Sequence, residues 1–334
     1  MGTPNRRDTL QPNWTSSVLL LDINQIGPDF NDCPFFGTPD CELEEFITIR
    51  SRWTKKIFKS LDISKATGPD GIPAAILKKI GDIIAAPFTT ICRRLLAEGC
   101  WPEIWKTHSI CPLYKKKSTF KAKNYRGVHL TPILSKTAEK VIGHRLISFL
   151  HSGKFGLNQW AFTPGLSSRD LVTALIMKWI LKICTGHKIA GYLSDITGAF
   201  DRVCKEYLIA KLQTAGVGRT YLNFLDAYLA KRQAQVIVEG IASDPFEISN
   251  TVFQGTVLGP PLWNLFFADV VDAAESKGGN ASIFADDLNV FKAFWKTEKN
   301  EDLIENVEMT RRATHKWGKM NRVTFDGEKA HIII

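Results

Sequence analysis

The chain has 334 residues, of which 44% are hydrophobic and 23% are charged, so it has the composition of an ordinary globular protein with room for roughly two domains. The 43 Lys and Arg residues exceed the 34 Asp and Glu residues, and the resulting net charge of +9 favours a polyanionic partner without identifying one. The sequence shows no secretory signal, no membrane-spanning apolar run and no C-x-x-C spacing among its 7 cysteines. It therefore predicts neither a membrane protein nor a zinc or disulfide framework.

The first part of the chain predicts a tail followed by helices. Residues 1–40 are rich in Pro, Asn, Asp and Gly, which is typical of a tail or linker. Residues 41–62 predict a helix, closed by a loop dense in Gly and Pro. Two amphipathic helical stretches then follow, ending at Gly99. These elements begin a mostly helical region that we expect to extend over residues 41–185.

A basic segment runs from Lys106 to Arg126 and contains no acid. Such a run predicts either a solvated face or a contact with phosphate groups, and both interpretations stay open at this point. Beyond it, one helix is predicted to open at Ser135, with Glu139 close to a capping position, and a second to be capped by Ser167 or Ser168.

From residue 186 onward the pattern changes to alternating strands and helices. A strand ends at Asp195, two helices and two strands follow, and a long helix covers residues 259–276. A hairpin, a helix over residues 300–321 and a terminal strand pair complete the order. This order predicts an α+β module with an antiparallel sheet and helices on one face.

Two adjacent acids, Asp286 and Asp287, interrupt the apolar run "SIFADDLNVF". Burying a carboxylate is costly unless a positive group meets it, and hence the pair predicts either a hairpin turn or a metal site. Asp195 adds a third carboxylate where its own strand ends. If the three converge, they would repel each other unless divalent cations join them, and two Mg²⁺ ions suit phosphoryl transfer.

Three blocks of the sequence carry a family resemblance. "SDITGAFDRV", "FQGTVLGPPLWNLFF" and "IFADDLNVFK" resemble motifs A, B and C of reverse transcriptases from non-LTR retrotransposons, in particular jockey-like elements. Upstream blocks such as "KATGPDGIPAAILK" and "NYRGVHLTPILSKTAEKVI" are similar to the family's finger motifs. The resemblance covers about residues 55–334. It implies a right-hand polymerase with fingers at residues 41–185 and an antiparallel palm at residues 186–334.

The resemblance also implies roles for individual residues. It makes Asp195, Asp286 and Asp287 the catalytic carboxylates and ligands of two Mg²⁺ ions, with Mn²⁺ as an alternative ion. Phe200 matches the aromatic residue that excludes a ribose 2′-hydroxyl, although a plain core Phe has the same pattern. The remaining substrate-binding candidates are Gln254 and Gly255 for the nucleotide and template, Arg126 for the triphosphate, and Lys329 for the leaving pyrophosphate.

The expected partners are an RNA template, a DNA primer and dNTPs, with no membrane. In this family a thumb follows motif D and an endonuclease precedes the polymerase; with the thumb absent from this sequence, we expect a core cut from a larger element, or a decayed copy. The leading hypothesis is an RNA-directed DNA polymerase core acting in the nucleus or cytoplasm. The alternatives are a catalytically inactive nucleic-acid-binding fragment and, disfavoured by Phe200, an RNA-dependent RNA polymerase.

Overall fold

The computed structural model of the protein describes residues 48–116, 118–249, 251–327 and 329–334. The predicted tail at residues 1–40, the start of the helix predicted from Cys41, and Lys117 lie outside the described residues. Two compact units are present: the first unit comprises residues 48–146 and 217–259, and the second unit comprises residues 147–216 and 260–334. None of the described helices combines the length and the apolar character needed to cross a membrane.

Helices and strands alternate along most of the described chain. The helices are α1 Ser51–Lys59, α2 Ala74–Glu98, α3 Ile133–Phe149, α4 Ser168–Cys184, α5 Lys205–Thr214, α6 Arg219–Tyr228, α7 Gly259–Ala268, α8 Val270–Glu275 and α9 Asn300–Met320. The strands are β1 Thr107–Tyr114, β2 Tyr125–Leu130, β3 His187–Ser194, β4 Arg232–Val238, β5 Ile241–Ala242, β6 Phe246–Ile248, β7 Asn280–Phe284, β8 Asp287–Trp295 and β9 His331–Ile333.

Several helix boundaries differ from the prediction for identifiable reasons. The two stretches predicted before Gly99 form one helix, α2, which runs through Pro87. Because Pro87 has no N–H, the carbonyl of Ile83 lacks its usual hydrogen bond within the helix. Both residues are exposed, so this carbonyl faces solvent. The long helix predicted over residues 259–276 is divided at Asp269, whose buried carboxylate pairs with Lys211 at 2.8 Å. Solvent exposure thus allows α2 to continue through Pro87, whereas the break at Asp269 coincides with a buried ion pair.

The sheet of the first unit has the strand order β2-β1-β4-β5, with β6 also pairing with β4. Strands β1 and β2 are antiparallel, whereas β1 and β4 are parallel. Apolar residues from β1, β4 and β6 form its core with Phe253. Of the two strands predicted over residues 232–253, β4 thus pairs with β1 in the basic segment and β6 pairs with β4, and the expectation that they belong to the sheet of the acid pair is wrong. Strand pairing is non-local, and periodicity along one strand carries no information about its partner.

The sheet of the second unit has the order β7-β8-β3-β9 and is antiparallel throughout. Alternate residues of a strand face opposite sides, and here both sides are covered. Ala190 and Tyr192 pack with Leu303 of α9, while Ile189 packs in the cluster of Leu171 from α4. The prediction of helices on one face is therefore wrong for the sheet as a whole, because α4, assigned to the fingers, covers the other face. The broader prediction of a mixed structure rich in antiparallel strands is confirmed.

A buried charged network supports the first unit. The guanidinium of Arg232, 1% exposed, donates to the carbonyl of Tyr228 at 2.6 Å and to Nε2 of His108 at 2.7 Å. Because a guanidinium only donates, His108 carries its proton on Nδ1, which lies 2.9 Å from Nδ1 of His129. Burial lowers the pKa of His129 to about 4, with Arg232 acting in the same direction, and both histidines stay neutral. Arg232 is thereby the positive charge that faces the buried Glu139.

We expect Arg232→Met to lower the free energy of unfolding by about 3–5 kcal/mol, the scale of leaving a buried charge without its opposite charge, because Arg232 interacts electrostatically with the buried Glu139. The adjacent Lys231 provides a matched control, since its ion pair with Glu247 is 2.9 Å long but its side chain is 71% exposed. Lys231→Met should cost less than about 1 kcal/mol. Urea denaturation followed by circular dichroism measures both, and equal effects would contradict the assigned role of the network.

Candidate active site

Asp195 lies directly after β3, at the point where the central strand of the second sheet ends. The last residue of that strand, Ser194, pairs with Leu288 at the start of β8. The backbone of Asp195 is fixed from the other side, because the amide of Asp326 donates to its carbonyl at 2.8 Å. The carboxylate therefore leaves the sheet at the end where the β7–β8 hairpin turns.

Asp286 and Asp287 occupy the tip of this hairpin, as the turn interpretation predicts. Phe284 pairs with Asp287, which leaves Ala285 and Asp286 as a two-residue turn. Ala285 has φ of +59°, in the left-handed region that an alanine adopts at a cost of about 1–2 kcal/mol. The direction in which Asp286 projects therefore depends on an unfavourable backbone conformation.

Two buried side chains hold the backbone of Ala285. The amide of Gln159 accepts from its N–H at 3.1 Å and donates to its carbonyl at 3.4 Å. The indole Nε1 of Trp263 donates to the same carbonyl at 3.0 Å. Both polar groups of this strained residue are thus satisfied by the surrounding side chains.

The three carboxyl groups interact electrostatically. Burial, the charge of Asp195 and a hydrogen bond with Asp195 together raise the pKa of Asp286 to about 7. Burial and the charge of Asp195 also raise the pKa of Asp287, against the opposing effect of Lys329. The structure therefore brings these three acids into one electrostatic cluster, as the sequence predicts.

Lys329 reaches the same cluster from the segment before β9. Its ammonium group forms an ion pair with the carboxylate of Asp195 and lies 3.5 Å from that of Asp326. These interactions raise the pKa of Lys329, the hydrogen bond with Asp195 making the largest contribution. The lysine is thus held in its charged form beside the acid at the end of β3.

The donor set of this cluster has the chemistry that a hard divalent cation requires. Three carboxylates supply hard oxygens, and burial, followed by the charge of Asp195, raises the pKa of Asp286 and so disfavours its charged form in the absence of a cation. Within the part of the chain that the structure describes, no three His, Cys, Asp or Glu side chains stand in a ready-made metal-binding arrangement. The ammonium of Lys329 instead neutralises Asp195.

Phe200 lies near this end of the second unit, in the short 3-10 helix Ala199–Arg202. Gly198 precedes it with φ of +62°. The ring of Phe200 is partly buried and stacks on Trp263, with ring centroids 5.7 Å apart and ring planes at 21°. It is therefore a side chain of the site's surroundings held by Trp263, and not a residue of the deep core.

Gln254 and Gly255 lie in the first unit, in a loop attached to β2. The amide of His129 donates to the carbonyl of Gln254 at 3.2 Å. Gly255 has φ of +89°, and a Cβ atom there would lie 2.8 Å from the carbonyl oxygen of His129. No other residue type fits this position without a backbone shift.

Glu139 has a different place from the one predicted. Helix α3 begins at Ile133, two residues before Ser135, and Glu139 lies inside it, fully buried. Its Oε2 accepts from the amides of Val257 at 2.6 Å and Leu258 at 3.1 Å. The capping role is therefore wrong, because a long-range contact, invisible to local spacing, uses this carboxylate to hold the loop after Gly255.

Arg126 lies on β2 in the first unit, opposite Leu113 of β1, and its side chain is exposed. Lys115 and Lys116 are exposed just beyond the end of β1. Within the second unit the structure brings Asp195, Asp286, Asp287 and Lys329 together, whereas Arg126, Gln254 and Gly255 belong to the first unit.

Three supporting residues have partners that the sequence does not predict: Gln159, Trp263 and Glu139. Gln159 and Trp263 have apolar neighbours in the sequence, where a buried polar group needs a partner. That signal marks these two as positions with a specific contact but does not identify the contact, and Glu139, between Lys136 and Lys140, carries no such signal. Only the fold shows that two of them meet Ala285.

Comparison with known proteins places this geometry in a family. The family model described as "Reverse transcriptase (RNA-dependent DNA polymerase)" matches residues 114–333. In Drosophila melanogaster, the probable RNA-directed DNA polymerase from transposon BS is 28% identical over 247 residues, covering 72% of this chain and 27% of that protein. The RNA-directed DNA polymerase from mobile element jockey is 29% identical over 224 residues, covering 65% and 24%. The probable RNA-directed DNA polymerase from transposon X-element is 24% identical over 304 residues, covering 90% and 32%.

The chain spans about a quarter to a third of the length of these curated relatives. The matched region includes the three carboxylates, the Gln254–Gly255 loop and Lys329. The names of the relatives confirm the resemblance to jockey-like elements that the motifs indicate. The chain therefore belongs to the reverse transcriptase (RNA-dependent DNA polymerase) family.

Proposed function

We propose that this chain is the polymerase core of a non-LTR retrotransposon reverse transcriptase and extends a DNA primer on an RNA template. In this reaction the primer 3′-hydroxyl oxygen attacks the α-phosphorus of a dNTP, and pyrophosphate leaves. The observation that carries the proposal is the meeting of Asp195 with the Asp286–Asp287 turn at one end of an antiparallel sheet, in a chain that belongs to the family.

Asp195 and Asp286 are the proposed principal ligands of two Mg²⁺ ions, for which Mn²⁺ is an alternative, and Asp287 supplies the third carboxylate. When bound, such ions lower the pKa of the attacking hydroxyl and neutralise charge on the departing oxygen. The side chains of this site contribute position and charge, since phosphoryl transfer requires little covalent chemistry from the protein.

Lys329 is proposed to protonate the leaving pyrophosphate. Its raised pKa supports this role, because the ammonium stays protonated at neutral pH and lies beside Asp195. In the proposed cycle it exchanges its ion pair with Asp195 for a contact with the departing phosphate. This exchange is feasible because its side chain is 58% exposed.

The other substrate roles follow the motif resemblance. Phe200 is proposed to exclude the ribose 2′-hydroxyl, and its partly exposed ring, stacked on Trp263, supports a rigid steric surface. Gln254 and Gly255 are proposed to support the nucleotide and template, and the close backbone contact at Gly255 suits a loop of fixed shape. Arg126 is proposed to bind the triphosphate, for which a guanidinium provides two parallel donors. The assignments of fingers and palm, and of action in the nucleus or cytoplasm, are proposals of the same kind.

We expect Asp195→Asn and Asp286→Asn each to reduce dNTP incorporation by about 100-fold to 1,000-fold or more, the scale of removing one group that stabilises transition-state charge. Incorporation is measured as Mg²⁺-dependent extension of a DNA primer on an RNA template. Asp302→Asn is the matched control, because Asp302 is an exposed acid on α9 in the same unit. Full activity in either site variant would contradict the assignment. Salt-sensitive RNA binding without turnover in the unmodified chain would instead support an inactive binding fragment.

We expect Phe200→Val to lower the preference for dNTPs over rNTPs by about tenfold or more, as the loss of a steric contact worth 1–3 kcal/mol allows. Phe200→Tyr keeps the ring and its stack on Trp263, so it should retain the preference. The measurement is the ratio of kcat/KM for matched dNTP and rNTP substrates. An unchanged ratio in the valine variant would remove the steric role.

The raised pKa of Asp286 predicts a pH-dependent stability of the metal-free chain. Because its folded pKa of about 7 exceeds the ordinary aspartate pKa of 3.8, this carboxyl stabilises the fold at low pH, and that stability is lost as pH rises toward 7. Compared with the unmodified chain in EDTA, Asp286→Asn should therefore raise Tm more at pH 8 than at pH 5. We expect a difference of at least about 2 °C, the shift that 1 kcal/mol produces in a domain of this size.

Addition of Mg²⁺ at pH 8 should raise Tm of the unmodified chain and have less effect on the variant, since bound ions neutralise the same carboxylates. Differential scanning fluorimetry measures Tm of both chains in EDTA at pH 5, in EDTA at pH 8 and with Mg²⁺ at pH 8. The comparison between chains cancels the titration of the groups that do not interact with Asp286. An equal Tm difference at both pH values would contradict the raised pKa.

A further inference from the structure

The turn of the β7–β8 hairpin places a strained residue, Ala285, directly before the proposed metal ligands Asp286 and Asp287. Ala285 holds φ of +59° without the conformational freedom of glycine. Since Asp286 follows it directly, the dihedral angles of Ala285 determine where that carboxylate points. A strained conformation persists only when its surroundings hold it in place.

Gln159 provides one support. Its amide spans both polar groups of Ala285, and its side chain is 3% exposed. The backbone on either side is tied to β7, because Ile283 donates to the carbonyl of Asn158 at 2.7 Å and accepts from the amide of Trp160 at 2.9 Å. The backbone that carries Gln159 is therefore bonded to the strand that leads into the turn.

Trp263 provides the other support from a helix. It is fully buried in α7, and its ring stacks on Phe267 with centroids 5.2 Å apart. Its Nε1 donates to the carbonyl of Ala285 at 3.0 Å, while the ring also stacks on Phe200. One rigid side chain thus contacts both the turn of the acid pair and the aromatic ring proposed to select the sugar.

We propose that Trp263 is a positioning residue that holds the Asp286–Asp287 turn through its indole N–H and the ring of Phe200 through its indole face. The expected effects of Trp263 on polymerisation rest on the proposed function, whereas its effects on the turn do not. Side chains that must act within fractions of an ångström are held by packed neighbours and hydrogen bonds, and Trp263 supplies both. It links the position of the carboxylate to that of the sugar-selecting ring.

The two contacts of Trp263 are separated by two substitutions. Trp263→Phe removes the indole N–H and keeps an aromatic ring, whereas Trp263→Leu removes the ring as well. The matched control is Trp317→Phe, because the Nε1 of Trp317 also donates a buried hydrogen bond, 3.0 Å long, to Asp269 in the same unit. A purely structural role predicts similar effects from the two phenylalanine variants.

The first measurement needs neither metal nor substrate. Amide hydrogen exchange at residues 285–288 of the metal-free chain should be about fivefold to tenfold faster in Trp263→Phe, the scale of one lost hydrogen bond. Trp317→Phe should lower Tm without changing exchange at these amides relative to the rest of the sheet. Gln159 still holds the turn in both variants, which keeps the expected effect partial.

The second measurement is the affinity of the chain for Mn²⁺ alone, determined by titration calorimetry. Trp263→Phe should weaken binding about threefold to tenfold, since a less ordered turn pays more to organise its carboxylates. In primer extension it should lower kcat about tenfold with little change in KM for dNTPs, and it should keep sugar selectivity. Trp263→Leu should in addition lose part of the preference for dNTPs.

A rescue experiment tests the backbone mechanism directly. Glycine adopts a positive φ without strain, so Ala285→Gly should reduce the dependence of the turn on Trp263. We compare the double variant Trp263→Phe, Ala285→Gly with Ala285→Gly alone. Its amide exchange rates at residues 286–288 should be closer to those of Ala285→Gly than the sum of the two single effects predicts. Strict additivity would mean that Trp263 does not act through the conformation of Ala285, and would overturn the proposal even if Trp263→Phe is less stable.

The outcomes separate this proposal from the proposed function. If the unmodified chain fails to extend a primer but Trp263→Phe exchanges faster at the turn and binds Mn²⁺ more weakly, the function fails and the positioning role stands. If polymerisation is confirmed but exchange, Mn²⁺ affinity and kcat of Trp263→Phe equal those of the unmodified chain, the positioning role is overturned. The same conclusion follows if Trp317→Phe produces the same changes.

Discussion

The carboxylate cluster at the end of β3 is the constraint on which the second unit depends. Asp195 and the turn of Asp286 and Asp287 lie close enough for burial and mutual repulsion to raise the pKa of both turn residues. In the protein alone, the ammonium of Lys329 offsets part of this repulsion by pairing with Asp195. A fold that keeps such an arrangement sacrifices stability, as proteins commonly do at functional sites, and the proposed divalent cations would neutralise these carboxylates.

The remainder of the unit holds this arrangement in place. Antiparallel pairing of β3 with β8 brings the carboxylates together from distant parts of the chain, and α9 and α4 cover the two faces of the sheet. Gln159 and Trp263 then stabilise the one backbone conformation that the sheet does not provide, the left-handed Ala285. Site geometry thus follows from strand register first and from side-chain support second.

The first unit shows the same principle with a different loop. Glu139 binds the amides after Gly255, Arg232 supplies the compensating charge, and the neutral His108 accepts from Arg232. Buried polar groups of this kind are tolerated because each finds a partner, and together they give a loop a defined shape. In both units, a loop assigned to substrate or catalysis is held by buried polar side chains from elsewhere in the chain.

The sequence by itself determined the family, the three carboxylates, the hairpin that carries two of them, and the approximate place of most elements. Those features depend on local spacing and on motifs whose residue order is specific. Tertiary structure alone decided that β4 pairs with β1, that α4 covers the second face of the other sheet, and that Glu139 binds a loop and caps no helix. It also decided that Trp263 meets Ala285. The physical reason is that periodicity reports which face of an element is buried, whereas strand partners and buried hydrogen bonds join residues far apart in the chain.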